Sequence, residues 1–231
     1  MRQHADPRGW SAWRTTGFLL GAGLLVLALL PAASPYPAGD PRGHMLQHLL
    51  IGMFAPIGLA LGAPVTLLLR TVPPRWGRAV GRVLRGRPAH ALTHPVSVLV
   101  LNVGGLLAVY ASPLAGVVAE PVTHLHFLVS GYLFAWVVAG PDPAPRRPSV
   151  PVRLVLLGVA IATHAVLSQL MYAGVLPGPA APPDQVRGAA ELMYYGGDIA
   201  ELLLAFAMLT ARGANTVGHA GTRLSAAAGR S

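Results

Sequence analysis

The chain has 231 residues, of which 53% are apolar and only 11% charged, where a soluble domain carries roughly 25% charged residues. A soluble fold of this length cannot bury so much apolar surface beneath so bare an exterior, so the composition identifies an integral membrane protein. The formal net charge is +9, and all 17 basic residues are arginine. These arginines lie between apolar stretches, which reads as orientation in a bilayer and not as a nucleic-acid surface. There is no cysteine. Disulfides, thiolate zinc sites, iron–sulfur clusters and thiol-based copper relay are therefore excluded.

A helix crosses the ~30 Å hydrocarbon layer in about 20 residues. Six segments qualify, at about 17–33, 44–69, 95–111, 121–140, 152–175 and 190–211. The expected fold is all-α, a polytopic bundle of six transmembrane helices making one domain over 1–211. The first span ends in Pro31-Ala32-Ala33-Ser34, which also resembles a secretory cleavage site; a retained anchor is the favoured reading. Pro56 and Pro64 should kink the second span and free carbonyls near Gly52 and Ala60.

The stretch 71–94 holds Arg75, Arg78, Arg82, Arg85 and Arg87, too many charges to bury at ~2.5–3.5 kcal/mol each. Val80, Val83 and Leu84 give it one apolar stripe, so a basic amphipathic helix on the membrane surface is expected between spans two and three. Placing the N-terminus inside leaves only Arg42 and Arg187 outside and 15 arginines inside, which predicts an N-in, C-in topology. The outer loops 34–43 and 176–183 are rich in Pro and Gly and read as ordered turns. Residues 212–231 are small, polar or basic and read as a disordered cytoplasmic tail.

Ionisable groups inside a membrane are costly, so function is sought there first. His44 and His48 lie one turn apart at the outer end of span two, with Met45 and Gln47 beside them. His124 and His126 lie near the outer end of span four. They are about 200° apart around a helix, so only one can face a shared site. His164 is near the middle of span five, followed on its face by Ser168 and Met171. Span six carries Met193, and Tyr194, Asp198 and Glu201 on one face.

No span has an interior arginine. Asp198 and Glu201 must then be protonated, hydrogen-bonded to His, Tyr or water, or turned to a cation. A single membrane histidine more often bonds a neighbouring helix than a metal, and Met commonly fills packing gaps. Five histidines and two acids on one side, with no matching cation, point instead to a metal pocket open to the outside. Imidazole suits copper and zinc, and thioether selects Cu(I). His4, His90, His94 and His219 read as solvated, and Asn102 as a contact between helices.

The run His44-Met45-Leu46-Gln47-His48, with the Ala55-Pro56 and Leu61-Gly62-Ala63-Pro64 turns, resembles the multi-span CtaG family of cytochrome c oxidase assembly factors. So do Phe127 through Trp136 ending in Gly140-Pro141-Asp142-Pro143, His164 with Leu167-Ser168, and Asp184-Gln185 leading to Met193. The similarity covers about residues 40–210. It implies a multi-pass protein of the bacterial plasma membrane that helps mature haem–copper oxidases, by binding or delivering copper to an oxidase subunit on the outer face. The ligands it implies are His44, His48, His124 or His126, and His164, with Asp184 and Asp198 as acidic neighbours.

The leading expectation is thus a copper-handling assembly factor and not an enzyme. Its metal ligands come from His44, His48, His124, His126, His164 and Asp198, with Met45, Met171, Asp184, Met193 and Glu201 as accessories. Three alternatives stand beside it. One is a haem protein with His48 or His124 paired to His164. Another is a zinc-dependent membrane hydrolase using three ligands and a bound water. The last is a scaffold whose polar groups merely hold the bundle together.

Overall fold

A computed structural model describes residues 10–112, 118–145, 147–176 and 181–228, with side chains as far as Thr210. The described residues fold into helices joined by short turns. α1 (Ala12–Leu29) is followed by one 3-10 turn, Pro31–Ala33. α2 (Pro41–Leu61) begins with proline in the first turn, where no N–H is needed, and with Asp40 capping the Arg42 N–H at 2.9 Å.

α2 widens into a π turn at Leu50–Phe54. Pro56 lacks an N–H and its ring crowds the carbonyl of Gly52, so the wider turn relieves the clash without a sharp bend. The Gly52 carbonyl then faces Gly131 on a neighbouring helix, so closely that a Cβ at Gly131 would overlap it.

The expected second span at 44–69 is not one helix. α2 stops at Leu61, Ala63 adopts a left-handed φ of 55°, and Pro64 opens the separate helix α3 (Pro64–Thr71). Proline drives the residue before it out of the helical region, which breaks the span here instead of kinking it. The surface segment is likewise two helices, α4 (Pro74–Leu84) and α5 (Arg87–Leu92), parted at Gly86 before Pro88. Trp76 and Val83 are exposed on one side of α4. Arg75, Arg78, Arg82 and Arg85 occupy the other, by their spacing along the helix.

α6 (Pro95–Tyr110) contains a second π turn, Val100–Gly104. α7 (Glu120–Val138), α8 (Val150–Tyr172) and α9 (Pro183–Ala228) complete the order. Five helices are long and apolar enough to cross a membrane: α1, α2, α7, α8 and α9 as far as Thr210. The sixth expected span, α6, is apolar but only about 24 Å long, short of the hydrocarbon thickness. The backbone of α9 is helical to Ala228; the tail expected over 212–231 falls on residues whose side chains lie outside the described ones.

α1 rests mainly on the second half of α2. A Cβ at Gly21 would stand 2.6 Å from the Leu59 nitrogen, and one at Gly58 would stand 2.8 Å from the Gly17 carbonyl oxygen. The two backbones meet there because neither helix presents a side chain. Two apolar cores stack along the bundle. One gathers Trp136, Val137, Leu156, Ala160, Leu204 and Met208; the other gathers Met45, Leu106, Leu167, Ala189 and Met193. Arg14 and Arg70 both lie over the Trp10 ring, at 5.6 and 5.7 Å, so they share one end of the bundle. Arg42 packs beside Gly188 at the other.

Candidate metal centre

The start of α2 is fixed before it presents any histidine. Asp40 is buried and takes the Arg42 guanidinium on both oxygens, at 2.6 to 3.1 Å. Arg42 also lies over the Tyr36 ring, 5.0 Å from its centre. One turn on, the Gln47 amide donates to the Ala28 carbonyl at 2.9 Å and ties α2 to the end of α1. His44 and His48 then project from one edge of α2.

His44 meets α7. Ligand atoms of His44, Glu120 and His124 all lie within 4.8 Å of one another, and the His44 and His124 ring centres are 6.3 Å apart. His124 Nε2 is 3.7 Å from Glu120 Oε1 one turn earlier on the same helix. Ligands ~2 Å from one ion stand ~3–4 Å from each other, so modest side-chain adjustment would close these three on a cation. His44 and Glu120 are exposed and His124 is half-buried. His44 and Glu120 line a cavity of about 930 Å³ formed by the 31–41 turn, the start of α2, the end of α6 and the facing ends of α7 to α9.

His48 lies deeper and is 3% exposed. Its ring sits edge-on to Phe127 at 4.2 Å and to Tyr110 at 5.4 Å between centres. Among the described residues, neither ring nitrogen of His48 nor the buried Tyr110 hydroxyl has a hydrogen-bond partner. His164 is also buried, and its Nδ1 stands 2.9 Å from Glu201 Oε1 and 3.3 Å from the Ala160 carbonyl. The Ala160 carbonyl is an acceptor at Nδ1, and Nε2 has no hydrogen-bond partner among the described residues. A cavity of about 30 Å³ lies beside this pair, lined also by Gly52, Met53 and Asn102.

His126 turns away from this group. Its Nε2 donates to the Leu101 carbonyl at 3.1 Å, inside the π turn of α6. The ring occupies space that only a glycine at 105 leaves open. The Leu101 carbonyl also accepts the Gly105 N–H, so it takes two donors at this depth. Of His124 and His126, it is thus His124 that faces His44.

The remaining expected residues scatter. Met45 and Met193 are almost wholly buried in the apolar core, though Met45 and Met171 also border the large cavity. Asp184 is exposed near the start of α9 and Asp198 is half-buried; neither joins the three-donor group. Glu201, ranked by sequence below Asp198, is the acid that meets a histidine.

Glu120 and Tyr110 escaped the sequence reading. Glu120-x-x-x-His124 has the same one-turn spacing as His44-x-x-x-His48, which could have revealed it. Glu120 sits at a span's edge, where the sequence pattern does not distinguish a solvated acid from a ligand. Nothing local marks Tyr110.

Two mycobacterial proteins, Mb0105 of Mycobacterium bovis and MT0111 of Mycobacterium tuberculosis, both described as uncharacterised, are each 35% identical to the chain over 168 residues. That is 68% of this chain and 25% of each relative. An uncharacterised Mycobacterium leprae protein, ML1998, is 31% identical over 171 residues, 68% of this chain and 26% of its own. The chain thus spans about a quarter of the length of these relatives. No solved structure matches it. Residues 1–212 match the cytochrome c oxidase caa3 assembly factors. With that match over nearly the whole bundle, the chain belongs to the Caa3_CtaG family of cytochrome c oxidase assembly factors.

Proposed function

We propose that the chain handles copper for a haem–copper oxidase, taking the ion at His44, Glu120 and His124 and passing it to an oxidase subunit on the outer side of the membrane. It does so without catalysing a reaction. The observation that carries this reading is the gathering of three donors from two helices within 4.8 Å, beside the 930 Å³ cavity. Imidazole and carboxylate suit a divalent copper ion on arrival, and half-exposed donors allow it to leave. The arginine bias supports the topology. Arg14 and the α3–α5 arginines belong to the inner side, and the cavity opens outward.

The test is the copper content of the purified protein, wild type beside a His44→Ala/His124→Ala variant, together with the copper content of oxidase in cells carrying each. Copper retained by the first and lost by the second, with copper-deficient oxidase, is the expected result. Equal copper in both oxidases overturns the delivery role.

A zinc hydrolase is the second reading that a specific observation favours, because two His and one Glu with an open position is a donor set that such enzymes use. Zinc in place of copper in the purified protein would support it. A haem held between His48 and His164 has little support, since the space beside His164 is about 30 Å³ and ligand pockets start near ~300 Å³.

A further inference from the structure

The arginines fall into two sets. Arg14, Arg42, Arg70, Arg147, Arg153 and Arg187 each meet a ring, a carboxylate or a carbonyl of the chain. Arg75, Arg78, Arg82, Arg85 and Arg87 are exposed, and none has such a partner among the described residues. The chain is also short of counter-charges for them. Between Asp40 and Glu120 it has no acid. Of its eight acids, Asp142 is buried as the cap of α3, and all the others except Asp6 lie in the spans or at the opposite end of the bundle. That leaves Asp6 against five guanidinium groups.

α4 keeps these charges on one side. At ~100° per residue, Arg75, Arg78, Arg82 and Arg85 fall within about 80° of one another. Arg85 folds back over Gly81, where a Cβ would stand 3.4 Å from its guanidinium. Its charge therefore sits level with Arg78 and Arg82 and not beyond the helix end. Leu84, on the opposite side, packs against the core that holds Trp136 and Leu204. Between the two sides stand Trp76 and Val83, 58% and 71% exposed and within about 20° of each other around the helix. The arginine side is thus turned away from the bundle, with an apolar edge beside it.

We propose that α4, with Arg87 at the start of α5, is a docking surface for acidic phospholipids. The guanidinium groups take the phosphate oxygens of the headgroups, and Trp76 and Val83 enter the acyl boundary beside them. Arginine suits phosphate because its planar fork makes paired hydrogen bonds. An indole and an aliphatic side chain next to that charged side match the order of a lipid, with the acyl chain behind the headgroup. A nucleic acid or an acidic protein would answer the charge and leave Trp76 and Val83 in water. The surface lies at the Arg14–Arg70 end of the bundle, away from the His44 group, and does not depend on the copper reading.

The test places the full chain in phosphatidylcholine nanodiscs with a trace of spin-labelled phosphatidylglycerol or spin-labelled phosphatidylcholine. Electron paramagnetic resonance reads the immobilised fraction of each. The wild type should hold the anionic lipid about fivefold or more over the zwitterionic one, the value of a single arginine at an anionic surface. Arg75→Gln/Arg78→Gln/Arg82→Gln/Arg85→Gln should lose most of that preference. So should the wild type at ~1 M salt, where screening acts within ~3 Å. Glycerol phosphate, a headgroup without acyl chains, should not displace the lipid.

Equal retention of both lipids by the wild type, or a preference unmoved in the quadruple variant, overturns the surface. Displacement by glycerol phosphate overturns the lipid as its ligand in favour of a soluble phosphate. The wild-type ratio and its salt dependence decide the point even if the quadruple variant fails to fold.

Discussion

Asp142 Oδ1 accepts two hydrogen bonds from Thr66, from the N–H at 2.7 Å and from the hydroxyl at 2.5 Å. Its other oxygen accepts from the Val65 N–H at 2.9 Å. Asp142 is wholly buried, so these bonds cap α3 from the turn after α7 and hold two distant parts of the chain together. Arg147 in turn donates to the Asp142 and Gly140 carbonyls.

Removing this cap leaves two helix N–H groups without a partner. Asp142→Ala should destabilise the protein by about 3 kcal/mol, and Asp142→Asn, which keeps one acceptor, by roughly half of that. Denaturant unfolding of the purified protein in micelles measures both. A loss below ~0.5 kcal/mol for the alanine variant would show that water replaces the carboxylate.

Glu201 and His164 should behave as one unit. Taking away either partner leaves polar atoms of the other unpaired in the apolar bundle, at a cost of about 1–3 kcal/mol. The double variant Glu201→Ala/His164→Ala should fall short of the summed losses by at least ~1 kcal/mol. Additive losses would mean that the 2.9 Å approach carries no coupling.

Glu120 gives the opposite expectation. Its side chain is 64% exposed, so Glu120→Gln should alter unfolding by no more than ~0.5 kcal/mol. Affinity for copper should nevertheless drop about tenfold or more if the carboxylate helps hold the ion. Unchanged affinity at the outer group would leave His44 and His124 as its only ligands.

Gly105→Ala should act through His126. The added methyl takes the space of the imidazole, breaks its bond to the Leu101 carbonyl and overpacks the α6–α7 contact. A loss of about 1–3 kcal/mol is expected, with copper binding intact. A large fall in copper affinity at preserved stability would instead assign His126 to the metal.

Acid should reach the start of α2 late. The hydrogen-bonded Arg42 guanidinium holds the Asp40 carboxyl below its ordinary value of 3.8. A carboxylate depressed in the folded state adds stability that is complete above the unfolded value and is lost as pH falls through the lower folded one. Stability should therefore show no Asp40 contribution to its pH dependence between pH 7 and about 5, and a fall only in stronger acid. Asp40→Asn should remove that acid-dependent part in an unfolding series from pH 7 to 3. A loss centred at or above 3.8 would contradict the pairing.

Much of the architecture was legible because apolar length and arginine spacing are strong signals. Helices α7 and α8 begin and end within three residues of the expected spans, whereas α1 starts five residues early and α9 starts seven residues early and runs on to Ala228; the segment between α3 and α6 is amphipathic as its arginine spacing implies. The break at Ala63 was hidden because Pro64 signals a kink and a stop alike. Which follows depends on a partner such as Asp142, 76 residues away from Thr66. The site was half visible. His44 and His48 announce themselves by spacing, but sequence could not separate the outer donors from the buried ones, since depth depends on how α7 and α8 lean on α2. The choice between His124 and His126 lay beyond it too, because the Leu101 carbonyl on another helix, which takes the His126 ring, decides it.

The π turn at Leu50–Phe54 acts as an inserted residue within α2. It resets the angular phase between the histidine-bearing turns and the Gly58 face that grips α1. An ordinary helix with the same number of residues would carry His44 and His48 about one residue step, ~100°, around relative to that face. Straightening the turn would thus part His44 from Glu120 and His124 without touching any of the three, and a chain altered in this way should fold yet lose the gathering of donors at the large cavity.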